Sequence, residues 1–311
     1  MEFFLQQLIN GITLGGIYAL IALGYTMVYG IIQLINFAHG EFFAAGGYMG
    51  VILLSYLAAH GYMTTHPWLC LGGALVLSMI YCAALAMAVE KVAYKPLRYA
   101  SRLSVLLSAL GMSIFLQNGL MLTQGVYDKP YPSSLGQGGF DFGMITLSYL
   151  QILIVVVTMV LLVGLNALVF KTRIGKAMRA TAQDKVMSSL VGINSNKIIS
   201  LTFALGAGLA AAAGVMVGLY YGSVRYDMGF IPGIKAFAAA VLGGIGNIPG
   251  AMFGGLFLGV FESIGPSLFF TGLGVPSPSQ LKDVIAFSML VFVLIFRPTG
   301  LMGEVLAEKK A

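Results

Sequence analysis

The chain has 311 residues, of which 59% are apolar or aromatic and only 9% charged, where a soluble globular domain carries about 25%. So few charges cannot coat a soluble globule, and so apolar a chain is not intrinsically disordered. The formal net charge of +6 does not point to nucleic acid, because no basic run exceeds two residues and aromatic-basic interleaving is missing.

A bilayer core about 30 Å thick needs roughly 20 mostly apolar residues per spanning helix. Such stretches recur at about 5–34, 37–59, 68–90, 103–124, 147–170, 198–221, 233–263 and 281–296. They predict an all-α, polytopic membrane protein: a single transmembrane domain over 1–311 with about eight membrane-embedded helical segments. Ten-residue blocks of strand-type alternation are absent, which argues against a β-barrel. The first Lys or Arg is Lys91, so the positive n-region of a secretory signal is missing and the N-terminus is expected to be retained. Cys70 and Cys82 lie twelve residues apart in one apolar stretch, roughly 18 Å along a helix and beyond disulfide reach.

The first irregularity along the chain is Asn36-Phe37-Ala38-His39-Gly40-Glu41, followed by Gly46-Gly47. Polar groups at membrane depth are costly and mark functional candidates; Asn10, Gln117, Asn118, Asn166 and Glu262 share that property. Asn36, His39 and Glu41 have two compatible readings, a capped helix start with Glu41 near the positive helix end, or polar groups along a solute path. His39 and Glu41 are two residues apart, about 200° around a helix, so they do not converge on one ion. His60 and His66 fall in a short loop between spans, and no metal site is expected.

The segments 91–102 and 171–197 hold ten basic residues, and with the tail from 297 they place 13 of the 17 on one side, a net +10 against −4 elsewhere. The positive-inside rule makes these segments cytoplasmic and the loops at 125–146 and 222–232 external. The side of the N-terminus stays open. Within 172–196, Ile174, Ala177, Met178, Ala182, Val186, Leu190 and Val191 recur at spacings near three or four, which predicts short amphipathic helices that rest on anionic lipid or dock a cytoplasmic partner.

Parity makes a demand on the C-terminal third. The chain is outside near 225 and inside by 297, with two apolar stretches between. The stretch 233–263 is broken at Gly243-Gly244-Ile245-Gly246-Asn247-Ile248-Pro249-Gly250, where glycines and a proline interrupt regular helix. A re-entrant hairpin of half-helices is expected to turn at Gly243, Gly244, Gly246, Pro249 and Gly250, the alternative being two tightly packed short spans with a misassigned tail. Asn247 has the same two readings as Asn36. The order Asn, Gly, then a Gly-Gly pair occurs at both breaks, as in two weakly related halves. Glu262 is expected to snorkel to the outer interface. The Gly-rich run lacks the Lys-Ser or Lys-Thr of a phosphate loop, and no Gly-x-Ser-x-Gly occurs, so neither a nucleotide site nor a serine nucleophile is expected in this chain. Glu41 and His39 as proton-handling groups leave an ion-coupled carrier or channel as one alternative, and an intramembrane enzyme as another.

The run Gly16-Ile17-Tyr18-Ala19-Leu20-Ile21-Ala22-Leu23-Gly24-Tyr25-Thr26-Met27-Val28-Tyr29-Gly30, continuing through Ile35-Asn36-Phe37-Ala38-His39-Gly40-Glu41, resembles bacterial branched-chain amino acid ABC transporter permeases of the smaller, "H" type. Ala109 to Asn118, Arg173 to Ala180 and Lys235 to Ala251 extend the likeness over nearly the whole chain; the loop 125–143 fits it poorly. The resemblance implies a permease subunit of the bacterial inner membrane that is not itself an enzyme and holds no cofactor, ATP and Mg²⁺ being bound by partners. Those partners would be a second related permease, two cytoplasmic ATPases, and a periplasmic or surface-tethered binding protein. The cargo would be leucine, isoleucine or valine, or else other amino acids, amides or urea. By the same likeness, 172–196 supplies the segment that meets the ATPases, with Gly175, Ala182, Asp184, Gly192 and Ile193 matching its pattern.

Overall fold

The computed structural model describes residues 2–303 apart from Leu34, Tyr99, 133–137, Phe142, Met144, 271–280 and Pro298. The basic residues Lys309 and Lys310 of the tail lie outside the described residues. Among the described residues twelve α-helices follow in order: α1 (Glu2–Ile32), α2 (His39–Ala59), the single turn α3 (Tyr62–Thr65), α4 (Pro67–Val89) with a π-helical extension Glu90–Tyr94, α5 (Arg102–Gln124), α6 (Tyr149–Lys171), α7 (Arg173–Gln183), α8 (Lys185–Leu190), α9 (Ser195–Tyr221), α10 (Phe230–Gly243), α11 (Ile248–Phe270) and α12 (Lys282–Phe296). Among the described residues seven helices, counting α4 with its extension, are long and apolar enough to cross a membrane: α1, α2, α4, α5, α6, α9 and α11. The chain is an all-α polytopic membrane protein, as its composition requires. Strands are confined to short ladders, β1 (Lys129–Pro130) with β4 (Ser223–Val224) and β2 (Gly139–Asp141) with β3 (Thr146–Ser148).

The core is a stack of α1, α2, α9 and α11 held at backbone distance. Lipid tails are as apolar as leucine, so helices in a bilayer associate through close packing, and small residues permit it. Gly11 and Gly15 of α1 face Val260 and Leu256 of α11, where an added Cβ would lie 2.8 Å from a backbone Cα. Gly255 and Gly259 return the contact against Ala19 and Gly15. Both helices therefore carry small residues every fourth position on the shared face. The same logic joins α2 to α9 through Gly46 against Ala211 and Gly214 against Phe43, and Ala210 to Ala213 are fully buried.

Orientation follows from contacts with the charge-assigned loops. Gln6 exchanges hydrogen bonds with the backbone of Thr146, 3.2 Å through Nε2 and 3.1 Å through Oε1, so the N-terminal end of α1 shares the outer face with the 125–146 loop. The opposing register of α1 and α11 then puts Ile32 and Ile248 inside. After α9 the chain passes Met228 against Gly47 and Gly229 against Gly40, descending beside α2 before α10 begins. With 14 residues α10 is about 21 Å long, whereas α11 has 23 residues and is of spanning length. The break thus joins one short helix to one full-length helix, where the sequence leads one to expect two half-helices. Descent in α10, ascent in α11 and descent in α12 satisfy the parity between 225 and 297.

Candidate functional site

Two breaks in the helices carry Asn36, His39, Glu41 and Asn247 of the polar residues singled out in the sequence. At the first, Gln33 takes a left-handed backbone (φ 59°) to end α1, and the buried Asn36 turns the chain. Its Oδ1 accepts from the Ala38 amide at 3.1 Å and from the Tyr94 hydroxyl at 2.6 Å, tying the turn to the inner end of α4. His39, 1% exposed, lays its ring over Gly24, where any Cβ would collide with it, and meets Tyr25 edge-on at 4.6 Å between centroids. Glu41 points elsewhere: its Oε1 accepts from Ser113 Oγ of α5 at 3.1 Å. His39 and Glu41 therefore face different neighbours, as their spacing requires. Among the described residues no group of three or more His, Cys, Asp or Glu side chains is placed to hold a metal.

At the second break Gly244 and Gly246 adopt positive φ of 107° and 95°, conformations that favour glycine. Gly243 and Gly250 face each other across the turn with no room for a Cβ. Pro249 sits in the first turn of α11, where its missing N–H costs nothing. Asn247 Oδ1 accepts from the Gly250 amide at 3.0 Å, and its Nδ2 donates to the Met302 carbonyl at 2.8 Å. Leu301 and Met302 in turn donate to the Leu242 and Gly243 carbonyls at 2.8 and 3.0 Å. Both asparagines thus serve their own turns, and Asn247 also anchors the segment after α12. Gly30 lies against Gly246, so the two breaks are neighbours at the inner end of α1.

The other polar candidates scatter. Asn10 accepts from Gln151 of α6 at 2.8 Å, and Asn118 bonds the Ile114 carbonyl of its own helix. Asn166 is exposed on α6. Glu262 does not snorkel. It is 3% exposed and pairs with Lys235 of α10 at 2.8 Å; Lys235, equally buried, also meets Asp283 of α12 at 2.6 Å and stands 5.8 Å from the Tyr18 ring centroid. Charge taken out of water must be paired, which is why the carboxylate turns inward. Lys235 was legible in principle. It and Glu262 are the two charged residues of 233–263 and lie on opposite sides of the break, where a hairpin can bring them together. Beside this cluster a cavity of about 530 Å³ opens between α1, α9, α12 and the 225–232 segment, with Gln117 of α5 on its wall.

The basic segment 172–196 forms α7 and α8. Thr172 Oγ1 caps α7 by accepting from the Gly175 amide at 3.1 Å, and Gly175 fits against the carbonyls of Leu168 and Val169 with no space for a side chain. Arg179 donates to the Val169 carbonyl at 2.6 Å, locking α7 back onto α6. Ala182 is half-buried against the core. Asp184 caps α8 by accepting from the Val186 and Met187 amides at 2.8 and 3.0 Å. Gly192 takes positive φ (87°), and the Ile193 amide donates to Ser188, closing the turn into α9. The result is a rigid elbow whose α8 end exposes Val186, Met187, Leu190 and Val191. Burial, and then the nearby Arg98, lower the pKa of Lys185 at the start of α8.

Comparison with known proteins converges on one family. Over 311 residues the chain is 50% identical to the high-affinity branched-chain amino acid transport system permease protein BraD of Pseudomonas aeruginosa, covering 98% of each. It is 44% identical to the permease protein LivH of Escherichia coli K12, covering 99% of this chain and 98% of that one. A probable branched-chain amino acid transport permease of Methanocaldococcus jannaschii is 27% identical over 94% of this chain and 91% of its own. Residues 7–294, from α1 through α12, match the family profile described as branched-chain amino acid transport system / permease component, and the chain belongs to that family.

Proposed function

We propose that this multi-pass inner-membrane protein is the permease subunit of an ATP-driven importer of the ABC class that carries branched-chain amino acids into the cytoplasm. It works beside a second related permease, two cytoplasmic ATPases that bind ATP and Mg²⁺, and a binding protein at the outer face. The observation that carries the reading is the α7–α8 elbow. An amphipathic unit capped at both helix starts, locked to α6 and exposing four large apolar side chains on the charge-assigned inner face is suited to receive force from a soluble partner. Gly175, Asp184 and Gly192 hold its shape; Ala182 seats it on the bundle, and the Ile193 amide closes its turn into α9.

The transport path passes the first break, with Asn36, His39 and Glu41 along it and Asn247 at the neighbouring break. The chain itself performs no covalent step. Its contribution is a bundle with two arrangements, whose balance ligand outside and nucleotide inside shift by a few kcal/mol. Short α10, bounded by glycines at 243–246, is the element that moves. The test is uptake of radiolabelled leucine by the reconstituted assembly in proteoliposomes. Uptake is expected to require ATP on the cytoplasmic side; uptake unchanged without ATP, or driven by an imposed ion gradient, overturns the reading. Competition by other amino acids, amides and urea in the same vesicles decides the cargo.

A further inference from the structure

The outer cavity beside Lys235 has features that a structural ion pair does not need. Its volume of about 530 Å³ falls within the roughly 300–1,000 Å³ of small-molecule sites. One wall is apolar, from Leu14 and Ile17 of α1 and Val217 of α9; the other is charged. Lys235 reaches the cavity although its side chain is only 4% exposed. An ammonium has three N–H donors, and Glu262 and Asp283 account for two carboxylate partners. Lys282, 43% exposed, stands 3.9 Å from Glu262, too far for a hydrogen bond. Asp283, 41% exposed, faces the same space. Arg225 and Asp227 at the rim satisfy each other. Three cations thus balance three carboxylates, which leaves the lining neutral, and Lys282 and Asp283 keep partly exposed charged groups beside the buried pair.

From this we propose that the cavity is a weak binding site for a zwitterionic amino acid with an apolar side chain. Its carboxylate meets the ammonium groups of Lys235 and Lys282, its α-ammonium meets Asp283, and its side chain lies on Leu14, Ile17 and Val217. A solute carrying net charge would bring an uncompensated charge against a neutral lining, whereas a dipolar one is matched at both ends. The position suits a receiving site. Tyr221 and Arg225, at the outer end of α9 and just beyond, lie at its mouth. Gln117 on its wall is one helical turn from Ser113, which donates to Glu41, so one face of α5 leads from the cavity to the first break. The inference rests on the reading of the chain as an amino-acid importer.

The test uses the full-length protein in lipid nanodiscs and equilibrium binding of radiolabelled L-leucine. Saturable binding below about 10 mM is expected, weak because a site that must release its solute inward cannot hold it tightly. 3-Methylbutylamine, lacking the carboxylate, and 4-methylpentanoate, lacking the ammonium, are expected to compete at least about tenfold less well. A double variant, Lys235→Met with Glu262→Gln, removes the buried pair together and is expected to lose binding at least about tenfold with its melting temperature retained. If that variant does not fold, Lys282→Ala with Asp283→Asn, both partly exposed, is expected to show the same loss. No saturable binding, equal competition by either truncated analogue, or wild-type binding in a folded variant overturns the site. ATP-driven leucine uptake by the wild-type assembly is measured alongside. Uptake with unaltered binding in the variants refutes the cavity alone, and absence of amino-acid uptake refutes the importer reading.

Discussion

Asn247 joins three pieces of chain with one side chain: it caps α11 through Gly250 and holds the segment after α12 through Met302. Replacing it with alanine removes an N-cap worth about 1 kcal/mol and a second bond of similar size. Asn247→Ala is expected to lower the melting temperature of the detergent-solubilised protein, with Asn247→Asp falling between because it keeps the acceptor and loses the donor. An Asn247→Asp protein as unstable as the alanine variant would show that the tie to Met302 dominates. The polar character of Asn36, His39 and Glu41 was legible from the sequence, and so was the divergence of His39 from Glu41. Their partners were not, because Tyr94, Gly24 and Ser113 come from helices whose rotation about their axes no single apolar stretch encodes. Lys235 and Glu262 show the same limit. Their buried pairing turns Glu262 inward, against the snorkelling that its position near the end of the apolar stretch 233–263 favours when it is considered alone.

At the scale of elements, caps and breaks do the organising. Asp184 fixes where α7 stops and α8 starts, and α8 is six residues long, too short to hold its shape without a cap. Asp184→Ala is expected to leave membrane insertion intact and to lower ATP-coupled uptake and substrate-stimulated ATP hydrolysis in the assembly; normal stimulated hydrolysis would remove α8 from the coupling path. Close helix packing is the second device. A valine at Gly15 would push its side chain into the Leu256 backbone, which cannot rotate away as a side chain can. Overpacking of this kind costs about 1–3 kcal/mol or more, so Gly15→Val is expected to lower the melting temperature and the folded yield, and an unchanged melting temperature would place the α1–α11 contact elsewhere. The abundance of glycine was visible in the composition; which glycines oppose which was not.

For the whole molecule, the distribution of charge and the contacts of the structure agree on one orientation. The sequence alone left the N-terminus unassigned because no basic residue precedes Lys91; the Gln6–Thr146 pair puts it on the side of the 125–146 loop, which the positive-inside rule makes external. A cysteine introduced as Phe3→Cys, at an exposed position, is expected to react with a membrane-impermeant maleimide applied from outside, while Ser189→Cys in α8 is expected to react only after permeabilisation. The native Cys70 and Cys82 are buried and leave a low background. Reaction of Ser189→Cys from outside would invert the topology.

What the sequence determined by itself is what depends on composition and local order along the chain: membrane residence, the spacing of apolar segments, the inner face of the basic loops, and the Gly and Pro breaks. Each follows from a free energy that a residue or a short run pays in lipid or water regardless of its neighbours. Only the tertiary structure decided that α10 is short and α11 full length, that Asn247 is tied to the chain end, and that Lys235, Glu262 and Asp283 meet beside an outer cavity. Those outcomes depend on which helix faces approach at backbone distance, a property of pairs of segments far apart in sequence. In a bilayer, where apolar burial does not distinguish one helix face from another, close packing and the pairing of buried polar groups make that choice.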